Sequence, residues 1–326
     1  MIKSMTVTNY LGESLTVTLT EDEPSHGLLI TKITGLGPAK ATINKTDLAT
    51  VDGSKYNSSK LEERNIVITF RLAFSLPDAN DRPFDEQTYN IENTRQRTYR
   101  YFPSKRPLTL SFKTDNRDAR VIGYVESNEP DIFSKEETQT ISILCPDPYF
   151  YSNERGFSPH VAEFSGLDSE FQFPFSNESV VDDLIEFGNI TPVFAKSFAY
   201  YGDQETGIRM IIHFTGNVNT NIRLDKRLPS NNNVIMSHFL LDVDKFEALM
   251  ETGFLSGDDI IIDTTNGNKR ATLTRNGEDY NILNAVSRDS DWLQLDKGTN
   301  TFYMTAYGSE QFLTFRIENY VLYEGI

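Results

Sequence analysis

Four histidines, His26, His160, His213 and His238, stand singly along the 326 residues, and none has a second His or Cys at the spacing of a metal site. They read as ordinary surface or core side chains. Cys145, the one cysteine, closes the apolar run Ile141-Ser142-Ile143-Leu144 just before Pro146, which marks a buried structural thiol rather than a nucleophile. A single cysteine also excludes an internal disulfide and a Cys-based zinc cluster. Gly-x-Ser-x-Gly, His-Glu-x-x-His and the Walker A pattern are missing. Gly35-Leu36-Gly37-Pro38 opens like a dinucleotide loop, but Pro38 and the lack of a third glycine make it a turn. Carboxylates are plentiful. Asp258, Asp259 and Asp263, or Asp289 and Asp291, have the ligand chemistry for calcium, yet neither set follows a loop with glycine sixth and a distal Glu, so they read as solvated turn residues. A carboxylate pair for glycoside hydrolysis is defined by a separation of ~5 to 10 Å in space, which spacing along the chain does not fix. Trp292, the sole Trp, alternates in Trp292-Leu293-Gln294-Leu295 as a core residue does. No catalytic, metal or cofactor site is assigned.

The elements that would carry such residues are mostly strands. Hydrophobic residues make up 38% of the chain and include 22 Phe and 15 Tyr, a load suited to packed sheets. The mean hydropathy is -0.42 and no run is long and apolar enough for a membrane span. The start, Met1 to Thr6, alternates like a strand and lacks a secretion signal, so a cytosolic origin is expected. Strand patterns recur at Leu15–Leu19, Leu28–Ile33, Asn65–Leu72, Leu108–Phe112, Val121–Val125 and Thr138–Leu144. The polar stretch Val51–Lys60 reads as an arm or long loop. One helix is expected from about Asp85 to Tyr101, with Phe84, Thr88, Ile91, Arg95, Thr98 and Phe102 inward and Tyr89, Asn93, Gln96, Arg97 and Arg100 outward. With Lys105, Arg106, Lys113, Arg117 and Arg120 it forms the basic concentration of the chain, a solvated face or a contact with an acidic neighbouring subunit.

Cys145-Pro146-Asp147-Pro148 ends this half, giving a first domain at 1–152, a linker at 153–168 and a second domain at 169–326. The aromatic stretch through Phe164, Phe171, Phe173 and Phe175 is expected to dock one domain on the other. Strands follow at Gly207–Phe214, Val234–Leu240, Asp259–Asp263, Lys269–Arg275, Thr301–Tyr307 and Phe312–Ile317, with hairpin turns at Asn266-Gly267 and Asn276-Gly277. A short helix is expected over Asp244–Met250, stopped by Gly253. Many strands and tight turns argue for a sandwich of two antiparallel sheets. Net charge is -16, divided as -3 up to Phe150 and -13 beyond it, which opposes wrapping of a polyanionic nucleic acid.

Longer strings carry a resemblance. Asp52-Gly53-Ser54-Lys55-Tyr56, Leu61 to Ile68 and Cys145 to Phe150, then Leu255 to Thr264, Ser290 to Leu295, Gly298-Thr299-Asn300 and Tyr320 to Ile326, resemble the distal tail proteins of long-tailed, non-contractile bacteriophages. The resemblance implies a mainly β fold: an N-terminal β-barrel-like, tail-tube-type domain with one helix and a projecting belt, then a galectin-like β-sandwich. It implies a virion structural protein of the tail tip or baseplate, assembled in the host bacterial cytoplasm, with no catalysis, cofactor or membrane. Its partners would be five further copies in a homohexameric ring, the tail tube protein above, a tail-associated hub or tip protein below, and the tape measure and receptor-binding proteins. DNA would pass the channel without specific binding. Asp52, Tyr56 and Lys60 of the belt and Tyr89, Arg97 and Arg100 of the helix are the expected contacts between subunits. The alternative function is a carbohydrate-binding module that touches host cell-wall polysaccharide; a galectin-like fold does not carry a sugar site with it.

Overall fold

A computed structural model describes residues 1–19, 26–47, 52–73, 91–133, 136–156, 158–163, 165–168, 189–192 and 195–326. The chain is mainly β and divides into two units, Met1–Phe157 with Leu322–Ile326, and Ser158–Val321. The expected boundary at 152 did not include this return of the last segment to unit 1. Two strands, at 160–163 and 165–168, also occupy part of the expected linker.

Unit 1 is built on one antiparallel sheet. Its strands are β1 (Ile2–Thr8), β2 (Ser14–Thr18), β3 (Leu28–Thr34), the hairpin pair β4 (Ala41–Asp47) and β5 (Ser54–Leu61), β6 (Arg64–Leu72), β7 (Pro107–Thr114), β8 (Asp118–Asp131), β9 (Thr138–Cys145) and β10 (Phe150–Ser152). The sheet runs in the order β2-β1-β7-β8-β9-β6-β3, while β4 and β5 pair only with each other. Period-2 alternation decides which side chains turn inward: Ile66, Ile68 and Phe70 of β6, Leu108, Leu110 and Phe112 of β7, and Ile141 and Ile143 of β9 are buried. The opposite face is rich in hydroxyls that pair across strands, as Thr6 with Thr16 at 2.9 Å and Thr8 with Ser14 at 2.8 Å.

The helix α1 spans Ile91–Tyr101; its expected first turns and residues Phe84, Thr88 and Tyr89 lie outside the described residues. Thr94 and Thr98 are its buried residues, with Phe102 following, so Thr94 rather than Arg95 leads the inward stripe. Small threonines let the helix lie close to β6, where Phe102 meets Phe70 at 5.8 Å.

Unit 2 holds two larger sheets. The first is β11 (His160–Glu163), β24 (Leu313–Asn319), β16 (Arg209–Phe214), β19 (Asp259–Asp263), β20 (Arg270–Arg275) and β21 (Glu278–Asn281) in that spatial order. The second is β14 (Ala195–Tyr200), β23 (Gly298–Thr305), β17 (Ile222–Leu228) and β18 (Asn231–Leu241). Short pairs join β12 (Ser165–Asp168) to β13 (Asn189–Pro192) and β15 (Thr206–Gly207) to β22 (Gln294–Leu295). Asn276 and Gly277 turn between β20 and β21 with φ of 54° and 81°, the doubly positive geometry of a type I′ hairpin.

The second helix, α2, covers Val243–Met250, one residue ahead of expectation, because the Asp242 carboxylate caps it by accepting from the Lys245 N–H at 3.3 Å. Glu251, at φ 61°, makes the left-handed exit that Gly253 was expected to make. Phe246 on α2 packs on Phe254 at 4.1 Å, and Phe254 on Phe214 at 5.1 Å, forming a three-ring core. Phe171, Phe173 and Phe175, expected to join the domains, lie outside the described residues, as does Phe164.

Candidate assembly surfaces

Within the stretch expected as an arm or long loop, the chain from Ser54 on is a strand, paired antiparallel with β4 through one register shift between Asn44 and Lys45. Side chains on both faces of this arm meet solvent, so no alternation marks it in the sequence. Asp52 lies exposed just before β5 and is followed by Gly53 at φ 98°. Tyr56 and Ile43 are each 61% exposed, two large apolar side chains on an otherwise polar arm. Tyr56 Oη and Ser59 Oγ are 2.9 Å apart, and Lys60 stands opposite Thr42.

The helix candidates sit on a different element and are tied within the chain. Arg97 donates to the carbonyl of His26 at 2.8 Å. Arg100 forks onto Glu13: its Nε donates to Oε2 at 2.9 Å and its second terminal nitrogen donates to Oε1. Asn9 completes this knot, donating to Glu13 Oε2 at 2.9 Å and accepting from the backbone N–H groups of Leu11 and Glu13. The α1 end and the β1–β2 turn are thereby joined. Tyr89 lies outside the described residues.

Hydrogen bonds from Arg100, then from Asn9, hold the Glu13 carboxyl down at about 2, against an ordinary value of 4.5. A depressed carboxylate stabilises the fold above its unfolded value and loses that contribution as pH falls through the folded one. Glu13→Gln should therefore melt below the parent at neutral pH, and the gap should close between pH 4.5 and about 2. Paired melting curves across that range check it; a gap independent of pH would contradict the ion pair.

The other candidate groups are engaged in structural work. Asp258 is buried and accepts from Arg275 Nε at 2.8 Å and a terminal nitrogen at 2.6 Å. Asp259 lies 2.8 Å from His213 Nδ1, and Asp263 accepts from Thr265 at 2.6 Å. Asp289 and Asp291 flank His238 at 3.5 and 4.0 Å. Among the described residues no group of three or more His, Cys, Asp or Glu is placed to hold a metal ion. Cys145 is buried, and burial pushes its thiol up to about 12, which opposes thiolate chemistry. Trp292 is half-buried rather than core, with Phe239 at 6.1 Å and the Lys269 ammonium 5.6 Å from its ring.

Sequence reasoning missed a side chain that ties together distant parts of unit 1. Arg64 is 3% exposed and lies over the Phe150 ring at 4.3 Å. It donates to four backbone carbonyls: Pro148 at 2.8 Å, Gly35 at 2.6 Å, Gly37, and Glu324 at 2.6 Å. Arg64 ends the charged run Glu62-Glu63-Arg64 just before an apolar strand, which reads as a solvated strand end, and nothing local announces acceptors so distant in sequence.

Comparison with known proteins bears out the resemblance over part of the chain. Residues 202–318 match the family described as siphovirus-type tail component, C-terminal domain, of the SPP1 Dit type. That stretch of unit 2 is similar to the Dit family. The resemblance to distal tail proteins is thus borne out. Over 98% of this chain and 99% of the other, the fold also follows the crystal structure of the Dit (gp 19.1) protein of phage SPP1, described as a paradigm of the hub adsorption apparatus in phages infecting Gram-positive hosts, at 14% identity and a TM-score of 0.57. The baseplate of phage P2 in its activated conformation with Ca aligns over 98% of each chain at 10% identity and a TM-score of 0.42. No curated protein matches the sequence.

Proposed function

We propose that this Dit-type chain is a structural adaptor of a non-contractile phage tail, a hub that joins the tail tube to the host-recognition apparatus at the tail tip. The observation that carries the reading is the tail-component match of residues 202–318 on a chain whose fold follows a Dit protein from end to end. Unit 1 is the tail-tube-type, barrel-like ring former; the approach of its edge strands β2 and β3 supports a sheet curled on itself. Unit 2 is the galectin-like sandwich, as its two antiparallel sheets suggest, and it carries the outward contacts to other baseplate proteins.

Six copies form the ring through heterologous contacts, one patch of each copy meeting a different patch of the next. The arm supplies the first patch, through Asp52, Tyr56 and Lys60 with Ile43 beside them; its exposed apolar side chains support that use. Arg97 and Arg100 lie by the second, where they act through the shape they hold rather than as free charges. The tail tube protein, the hub or tip protein, the tape measure and the receptor-binding proteins are the neighbours this position requires. A net charge of -16 supports a channel that lets DNA slide without gripping it. No catalysis is needed, and the engagement of the candidate carboxylates in bonds within the chain supports a role worked by geometry.

Gold-labelled antibody against unit 2 should decorate the tail end of intact virions. Labelling along the tube or on the head would overturn the placement. A double replacement, Ile43→Asp with Tyr56→Asp, should abolish rings while leaving the circular dichroism unchanged; rings that persist would remove the arm from the contact.

A further inference from the structure

The arm leaves unit 1 and returns to it through a narrow root. It departs after β3 by way of Gly35, Leu36 and Gly37, and it returns at Glu62 and Arg64. Glu62 N–H donates to the Lys40 carbonyl at 2.8 Å, and the Glu62 carboxylate takes the Thr42 hydroxyl and, at 3.3 Å, the Lys40 ammonium, so the two sides of the root are tied directly. Gly35 has φ 86°, and a Cβ there would lie 2.0 Å from the Asn65 carbonyl oxygen. At Gly35 the root is packed backbone against backbone, with no room for a side chain.

The segment 322–326 closes this root from a third side. Although it follows all of unit 2 in sequence, Leu322 and Tyr323 pair with Tyr151 and Phe150 of β10. The Ile326 N–H then donates to the Leu36 carbonyl at 3.1 Å. Gly325 lies so close to the root that a Cβ would stand 2.9 Å from the Leu36 oxygen and 3.2 Å from the Gly37 carbonyl carbon. Arg117 clasps the outside of the segment, its guanidinium 4.4 Å from the Tyr323 ring and donating to the Gly325 carbonyl at 2.7 Å.

Arg64 wires the three sides together. Its Nε and one terminal nitrogen hold Pro148 and the outgoing strand of the root, through Gly35 and Gly37; its other terminal nitrogen holds Glu324 of the segment. Desolvating a guanidinium is costly, and here its hydrogen bonds go to backbone carbonyls rather than to a carboxylate. No neutral side chain presents that many donors in a fixed fork, so only arginine can join four carbonyls of three separate segments.

We propose that residues 322–326 are a strap that sets the direction of the arm, with Arg64 as its positioning residue, so that the arm is presented to a neighbouring copy only once the strap has closed on unit 1. This rests on the reading of the arm as a contact between copies. An arm held at one root alone would swing about Gly35 and Gly37, and the entropy of that motion would be lost on each ring contact. A closed strap removes it in advance. Because the strap follows unit 2 in sequence, a chain interrupted before it would have an arm but not an aimed one.

The test measures the arm directly in the full chain, under dilute conditions where copies are apart. Spin labels at Lys55→Cys on the arm and Lys113→Cys on β7 report their separation by pulsed electron resonance. The otherwise unaltered chain should give one narrow distribution. Gly325→Val, which pushes the strap off Leu36 and Gly37, should broaden it by roughly twofold with the circular dichroism retained, and should lower the fraction of chains in rings. Arg117→Gln, which loosens only the outer side of the strap, should broaden it less, and it decides the question should Gly325→Val fail to fold. An unchanged width in a folded Gly325→Val chain, or in Arg117→Gln when that variant must decide, overturns the proposal. A broadened arm with undiminished rings would leave the strap's action on the arm intact and overturn instead the assignment of the arm to the contact between copies.

Discussion

Arg64→Leu should raise the rate of amide exchange in β6 and β9 by roughly a hundredfold, the kinetic face of about 3 kcal/mol of lost stability in unit 1. Leucine fills much of the same space but donates nothing. The carbonyls of Pro148, Gly35, Gly37 and Glu324 would all lose their Arg64 donor at once. An unsatisfied buried acceptor costs on the order of 1 to 3 kcal/mol, and partial hydration of the opened root keeps the total below the sum. Removing the charge also removes its desolvation cost, which is why the expected loss is moderate for a side chain with so many bonds. Hydrogen exchange read by mass spectrometry on peptides of unit 1 checks this. Less than tenfold acceleration there would mean that the four bonds are replaceable and that Arg64 does not organise the unit.

In unit 2 the largest single loss is expected from Phe254→Ala, about 3 to 5 kcal/mol. Phe254 is fully buried between Phe214 of β16 and Phe246 of α2, so truncation leaves a cavity walled by two rings that strand and helix hold apart. Beside it, the Arg275 and Asp258 pair fixes the chain after α2 through further bonds from Arg275 to the Gly253 carbonyl at 3.0 Å and the Thr252 hydroxyl at 2.7 Å. That frame resists collapse into the cavity, which places the cost toward the upper end. Trp292 is the sole Trp and lies in unit 2, so urea unfolding followed by its fluorescence reports this unit. A midpoint shift of less than about 1 kcal/mol would show that the core refills.

Strands with one buried face were legible because their side chains alternate, as Ile66, Ile68 and Phe70 do on β6. The Asn276-Gly277 turn was legible for a local reason too, since few other pairs accept two positive φ values. The arm was legible as an arm, but its strands were not, because neither face is buried. β17 was hidden by its charges: Asp225 and Lys226 are buried, the first beside Arg223 at 2.6 Å and the second beside Asp296 at 2.7 Å. Partners that neutralise a buried charge are non-local, so composition misreads such a strand as solvent-facing. The same holds for Arg64 and the strap. Of the candidate contact residues, sequence placed Tyr56 and Lys60 on an exposed arm but gave no sign that Arg100 is committed to Glu13.

A ring-forming adaptor of the tail tip, as proposed above, is expected to reveal itself most directly in its mass. Light scattering over a concentration series, alone and with the tail tube protein added, should reach a species of roughly six times 37.1 kDa, with a central hole in negative-stain images. A strict monomer under both conditions, or a closed assembly without a hole, would contradict the account.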